Sequence, residues 1–350
     1  MTSLTYITDG VKAAYPRSKR FSTVNINDRL DLVVNRYKPK NINAHGFTLV
    51  LLHCTGGQKE SWEGVINYLF NYSPSLPIRE AVAFDWVNHG DSAVVNEDKL
   101  GYQANWTDGS RDLLAVVAEL QLPEPIIAIG HSMGAGQALF AAHIMPRLFY
   151  GVIAVETVAV PFSEKARVTT IAAQLAKLPD EFSTRQEAVQ MLNAVKTKRF
   201  NKSIVNRVID ASIYEKGGRF FYKTTTVQET ATYASASASL KEIFAALASV
   251  YEPVLLIVGE KANWNEPTAI GKIQQQLPDS VTVTIPNAGH MLIQEKPDET
   301  AAAMVRYLLE RWQTWQMETA DETRNLVQQG RARLLASVSS GATKTKSSKL

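Results

Sequence analysis

Short apolar runs and helix-period patterns alternate over most of the chain. Residues 22–38 read as a hairpin, with "STVNI" and "DLVVNRY" as strands on either side of a turn at Asn27-Asp28. The run "FTLVLLH" (47–53) is apolar at nearly every position, the pattern of a strand buried on both faces. A helical stretch follows over about 59–71, and "EAVAFDW" (80–86) is a second buried strand. "DGSRDLLAVVAELQ" (108–121) spaces its apolar residues at helical intervals behind an acidic first turn. Then come a strand, "PIIAIG" (125–130), a helix, "AGQALFAAHIM" (135–145), and another strand, "LFYGVIAVE" (148–156). Residues 161–247 break the alternation with several helical patterns and no recognisable parallel strand. The rhythm resumes with "EPVLLIVGE" (252–260), a helix over about 267–277, "SVTVTIP" (280–286) and a long helix from about 297.

Strands alternating with helices predict an α/β fold: a mainly parallel sheet covered on both faces. The interrupting segment, 161–247, is expected to be a helical cap inserted into one domain built from 22–160 and 248–315. A flexible polar tail is expected over 337–350.

The strand "PIIAIG" leads into Gly130-His131-Ser132-Met133-Gly134, which satisfies G-x-S-x-G. A strand-to-helix turn that presents a nucleophile is tight and strained, so small residues are needed two positions to either side of the serine. Ser132 is therefore the expected nucleophile. Its hydroxyl needs a base, and in this chain order the base is a histidine well downstream. Of the six histidines (His45, His53, His89, His131, His143 and His290) only His143 and His290 follow the serine. His143 sits on the helix directly after it. His290 sits in "IPNAGHMLIQEKP", a loop past the last strand that can lean over the sheet, and is the expected base.

The third member should be a carboxylate that fixes the imidazole tautomer. Glu156 ends the strand after the elbow, where a lone carboxylate among apolar residues is costly without a partner. Glu260 and Glu266 lie in "LLIVGEKANWNEP", which contains no Asp. Glu156 is preferred, Glu260 is the alternative and Glu266 comes third. Two backbone N–H donors are needed for the oxyanion. Met133, after the nucleophile, supplies one, and Thr55 in "HCTGG" (53–57) the other, with Cys54 as second choice in that loop. Cys54 is otherwise a small filler under the oxyanion site and His53 a support for the loop. His89 and Asp91, in "DWVNHGDSA", read as turn residues that bond locally to the backbone.

Composition narrows the class. The chain has 350 residues, a formal charge of +3, 45% apolar and 20% charged residues, the balance of a soluble globular protein. No Lys/Arg stripe runs along one face, so no nucleic-acid partner is expected. Cys54 is the single cysteine, which rules out an internal disulfide and fits a reducing compartment. The N-terminal stretch lacks the apolar region of a signal peptide, and no run approaches the ~20 apolar residues of a membrane span. Scattered histidines predict no metal site, and without a G-x-G-x-x-G fingerprint no cofactor is expected. The sequence ends in Ser348, Lys349 and Leu350, a receptor-read peroxisomal address, so a peroxisomal location and an import-receptor partner are expected.

Within 161–247, thirteen Lys/Arg face eight Asp/Glu, and "KTKRFNKSIVNR" (196–207) carries five basic residues and no acid. This reads either as a basic mouth for an anionic head, such as the phosphates of coenzyme A, or as a solvated helix face.

Taken together, these motifs resemble the α/β-hydrolase superfamily over residues 22–315, apart from the cap. More narrowly, "HCTGGQKESWEGVI", "FDWVNHGDSAV", "WTDGSRDLL" and "GHSMGAGQALFAAHIMP" resemble a group of fungal peroxisomal hydrolases. That group includes hydrolases of host-selective toxin biosynthesis, peroxisomal lipase-like proteins and acyl-CoA hydrolases of polyketide pathways. The resemblance implies an α/β-hydrolase fold with Ser132 and His290 in their motif positions. Glu156 corresponds to the acid of members that place it after the strand following the elbow. The expected activity is hydrolysis of an acyl ester or thioester, with an acyl-CoA among the candidate substrates. The alternatives are a lipase or carboxylesterase of lipid metabolism, or a weakly active hydrolase-fold binding protein.

Overall fold

The computed structural model describes residues 4–72, 75–161, 165–319 and 322–344. The chain divides into two units, 1–306 and 307–350. The first unit opens with β1 (Tyr6–Lys12), β2 (Asp31–Tyr37) and β3 (Phe47–Leu52), then α1 (Glu63–Tyr72) and β4 (Ile78–Phe84). It continues through α2 (Gly90–Val95), α3 (Trp106–Glu119), β5 (Ile126–His131), α4 (Met133–Ile144) and β6 (Gly151–Val155). The segment that follows holds α5 (Lys165–Leu175), β7 (Glu181–Phe182), α6 (Arg185–Leu192), α7 (Val205–Ser212), β8 (Ile213–Lys216), β9 (Arg219–Tyr222) and α8 (Thr226–Ala246). The core resumes with β10 (Val254–Gly259), α9 (Ala269–Gln276), β11 (Ser280–Ile285), α10 (Leu292–Glu295) and the start of α11 (Pro297–Thr319). The second unit holds the rest of α11 and α12 (Glu322–Lys344).

Eight strands form one sheet in the order β1-β2-β4-β3-β5-β6-β10-β11. The six from β4 to β11 run parallel, while β2 pairs antiparallel with both β1 and β4. Burial explains the order. Every residue of β3, β5 and β6 is buried, as a strand with helices on both faces requires. The edge strands are far less covered: only Val11 in β1 and Ile285 in β11 are buried, and polar residues stand among the remaining positions.

The structure corrects three expectations. β2 does not pair with "STVNI". Val24 and Ile26 there are exposed, only Thr23 makes a single bridge, to Leu100, and the partner of β2 is Tyr6–Lys12. That edge strand is polar and contains Gly10, so its sequence gives little strand signal. The inserted segment is not wholly helical: β7, β9 and β8 form a three-stranded antiparallel sheet. Its β8–β9 hairpin turns on Gly217 and Gly218, at φ +61° and +75°, a two-residue turn that only glycine-like residues form easily. Residues 337–344 of the expected tail belong to α12, whose "ARLLAS" core is rich in helix formers. Ser348, Lys349 and Leu350 lie outside the described residues.

A buried charge cluster ties the turn after β3 to the turn after β4. Lys59, 1% exposed, places its Nζ 2.8 Å from Asp85, 2.5 Å from Asp91 and 3.0 Å from Glu60. Asp91 also pairs with Lys223 at 2.5 Å, so it bonds across to the inserted segment and not only locally. The negative charges hold the Lys59 ammonium above its ordinary range despite burial. Burial, with the Asp85 charge beside it, pushes the Glu60 carboxyl above the usual carboxylate range against the pull of Lys59. Lys59→Met strips Asp85 of its counter-charge inside the protein. The expected loss of unfolding free energy is ~3–5 kcal/mol, read from the denaturant midpoint at neutral pH. A loss under ~1 kcal/mol would mean the cluster behaves like a solvated surface pair.

Candidate active site

The site is built where β5 turns into α4. Ser132 sits in that turn at φ 56°, ψ −113°, a conformation L-residues rarely hold. The turn closes so tightly that a Cβ on Gly130 would fall 2.3 Å from the Gly134 carbonyl oxygen. A Cβ on Gly134 would fall 2.5 Å from the carbonyl oxygen of Leu52, in β3. These are the small-residue positions that G-x-S-x-G requires.

Ser132, His290 and Glu156 are brought together in one hydrogen-bonded chain. The His290 Nε2 lies 3.0 Å from Ser132 Oγ, and its Nδ1 lies 3.0 Å from Glu156 Oε2. A carboxylate only accepts, so Nδ1 carries the proton and the Nε2 lone pair faces the hydroxyl. Glu156 directly follows β6, at φ 47°, and its Oε1 accepts the Gly259 N–H at 2.7 Å, at the end of neighbouring β10. Burial pushes its carboxyl up to about 7; the Gly259 hydrogen bond pulls it down and the Glu295 charge adds to the rise. Glu260 is exposed and instead accepts the Asn287 N–H at 2.8 Å. Glu266 lies in the turn before α9. His143 remains on α4, its ring against Phe140.

The loop after β3 is fixed by histidines. The Gly56 N–H donates to His89 Nε2 at 3.0 Å, so His89 accepts there, and its Nδ1–H donates to Asn88 Oδ1 at 2.8 Å. His89 thus anchors the loop after β3 as well as its own turn. Gly57 N–H bonds the Cys54 carbonyl at 3.0 Å. His53 donates from Nδ1 to the Cys54 carbonyl at 2.7 Å and accepts the Trp86 N–H on Nε2 at 3.2 Å. Burial drives His53 down to about 4 and His89 well below the usual imidazole range, so both are neutral. Burial pushes the Cys54 thiol up to about 12, which leaves it an inert filler. Met133 opens α4, so its N–H has no acceptor within the helix. Thr55 lies beside it, with Oγ1 3.4 Å from the Met133 sulfur.

Four further features complete the surroundings of the site, and each carries little signal in the sequence. His131 donates from Nε2 to the His290 carbonyl at 2.8 Å, and its position as the second residue of G-x-S-x-G was the available clue. Trp264 stacks on the His290 ring, centroids 5.3 Å apart. Glu295 accepts the Gly289 N–H at 2.9 Å and pairs with Arg199 at 3.2 Å, which links the His290 loop to the inserted segment. A cavity of about 220 Å³ adjoins the site, walled by Thr55 and Met291 with Leu192, Phe200 and Tyr233, and by the Lys196–Glu229 pair.

The basic stretch 196–207 is largely balanced: Lys196, Arg199 and Arg207 pair with Glu229, Glu295 and Glu63. Among the described residues, no helix is long and apolar enough to cross a membrane. No three His, Cys, Asp or Glu side chains gather there as metal ligands would.

A parallel sheet with a strained serine elbow beneath a histidine loop defines the α/β-hydrolase class. The chain belongs to the alpha/beta hydrolase family, whose pattern it matches over residues 49–303, and it is a hydrolase. It is 28% identical over 319 residues to the peroxisomal membrane protein LPX1 of Saccharomyces cerevisiae, covering 82% of each chain. The crystal structure of that yeast α/β-hydrolase superimposes with a TM-score of 0.80 at 27% identity, over 89% of this chain and 90% of the other. A type I acyl-CoA thioesterase, mpaH′ of Penicillium brevicompactum, is 33% identical over 144 residues, 40% of this chain and a third (33%) of its own length.

The buried His131 ring, pushed down to about 3 by burial and the nearby His290, is locked as the neutral Nε2–H tautomer by the carbonyl it serves. Long-range nitrogen–proton NMR spectra should show it neutral through the range near pH 6.5 where an ordinary imidazole titrates. Protonation in that range would contradict the assignment.

Proposed function

We propose that this protein is a serine hydrolase that cleaves acyl esters or thioesters, with Ser132 as nucleophile, His290 as base and Glu156 as the carboxylate partner. The reading rests on one observation: His290 bridges Ser132 and Glu156 at 3.0 Å on each side. In the first half-reaction His290 Nε2 takes the Ser132 proton as Oγ attacks the acyl carbonyl carbon. The Thr55 and Met133 N–H groups hold the oxyanion. The imidazolium, steadied by Glu156, then protonates the departing alkoxide or thiolate. In the second half-reaction His290 deprotonates water, which attacks the acyl-serine and releases a carboxylic acid and the restored hydroxyl. The inserted segment serves as the cap that shapes the acyl site.

An acyl-CoA is the finer substrate assignment within this proposal. Its support is the similarity to a named acyl-CoA thioesterase over part of the chain. The balanced basic stretch adds little to it. A peroxisomal location belongs to the same proposal, supported by Ser348-Lys349-Leu350 and by the location in the yeast relative's name.

Ser132→Ala should leave the fold intact, abolish fluorophosphonate labelling and cut turnover of aryl esters and acyl-CoAs by ~10³-fold or more. Retained turnover would remove Ser132 from the mechanism. A thiol-release assay with medium-chain acyl-CoAs separates the two substrate classes: cleavage of oxyesters alone leaves a carboxylesterase.

Glu156 supports the imidazolium only when ionised. Its acid is pushed up to about 7, so kcat/KM should fall as pH drops through that value. Glu156→Gln should lower kcat by ~10³–10⁴-fold, while Glu260→Gln leaves it near the parent value. The reverse ranking would transfer the role to Glu260.

A further inference from the structure

We infer that the cavity beside the elbow reads a neutral group that both donates and accepts a hydrogen bond, a hydroxyl being the smallest, on the acyl chain of the substrate. The inference rests on the hydrolase reading above and narrows its substrate class. Thr55 and Met291, which flank the oxyanion loop and His290, form part of the cavity wall, so an acyl group bound at Ser132 has this space next to it. Leu192 and Phe200 supply apolar wall. An alkyl chain alone would be best served by apolar lining throughout, yet Lys196 and Glu229 also face this space.

Glu229 is 5% exposed, and a buried carboxylate is costly unless fully matched. Its Oε2 takes a 2.6 Å bond from Lys196 Nζ. Its other oxygen packs on Gly56, where a Cβ would fall 2.2 Å from Oε1, so the backbone at that point is bare to admit it. An ammonium has three donors and a carboxylate about four acceptor sites, so the pair keeps hydrogen-bonding capacity on both members. Lys196 comes from a π-helical turn, Asn193–Thr197, an irregularity that re-aims side chains and is frequent at functional sites.

The net charge of the pair decides the ligand. A carboxylate on the substrate would gain Lys196 but meet Glu229. A methylene would leave both members unanswered. A hydroxyl accepts from Lys196 and donates to Glu229, and so satisfies the pair without a new charge.

The test uses the full chain and p-nitrophenyl esters of octanoate, of suberate as the half-ester, and of hydroxyoctanoates bearing the hydroxyl at different carbons. At least one hydroxyoctanoate should exceed octanoate by about tenfold in kcat/KM, with the suberate half-ester lowest. Glu229→Gln should shrink that ratio about fivefold, because a neutral acceptor replaces a charged one. Lys196→Met/Glu229→Leu should bring the ratio near one. The parent-enzyme ratios stand as the test even where the double variant fails to fold. Octanoate turnover with no preferred hydroxyl position, a preference for suberate, or a ratio unmoved in folded variants overturns the inference and leaves the hydrolase standing. No turnover of any ester together with no Ser132 labelling overturns the hydrolase reading itself, and this inference with it.

Discussion

The site depends on how closely α4 begins beneath the end of β3. At Gly134 the helix backbone lies so near the Leu52 and His53 carbonyls that no side chain fits between them. With the helix pressed there, the chain leaving β5 must reverse within a single residue, and Ser132 takes the strain at φ 56°. Such a residue costs on the order of 1–3 kcal/mol and persists only where its surroundings over-determine it. Here β6 does so: Ser132 N–H donates to the Val155 carbonyl at 2.9 Å, and Val158 N–H returns to the Ser132 carbonyl at 3.3 Å. The sheet that strains the serine also clamps it.

That clamp explains where the carboxylate stands. Val155 is the residue before Glu156, so the strand end that holds the serine backbone also delivers the acid. In the sheet β5, β6 and β10 are consecutive, which sets Ser132, Glu156 and Gly259 side by side at one rim. From the middle strand a glutamate reaches both ways, to His290 with one oxygen and to the Gly259 N–H with the other. The end of β10 therefore contributes a donor to the site, and Glu260 next to it turns away to hold Asn287.

How far the sequence spoke followed from how local each cause was. The buried strands were legible because continuous burial demands continuous apolar residues, and the elbow because its steric needs fall within five consecutive positions. β1 was hidden because it is an edge strand in which only Val11 is buried, so no apolar alternation is demanded of it. The β8–β9 hairpin did announce itself in Gly217-Gly218, but its flanks "YEK" and "RFFY" are short and mixed in polarity. Glu156 and Glu260 could only be ranked, since the difference between them is a distance across the sheet. The basic stretch looked unopposed because its partners Glu63, Glu229 and Glu295 stand on other elements.

The histidines show how one imidazole is kept for chemistry. His53, His89 and His131 each have at least one ring nitrogen bonded to a backbone group at 2.7–3.2 Å, which fixes one neutral tautomer. Full burial removes the water that would stabilise their charge, so none competes for a proton at neutral pH. His290 differs in both respects. It is partly exposed, and a carboxylate stands 3.0 Å from its Nδ1. In the proposed mechanism a proton arriving from Ser132 is therefore stabilised on that ring and on no neighbour. Because the surrounding imidazoles stay uncharged, they hold the loop after β3 and the His290 loop in place without repelling the imidazolium that the proposed mechanism forms between them.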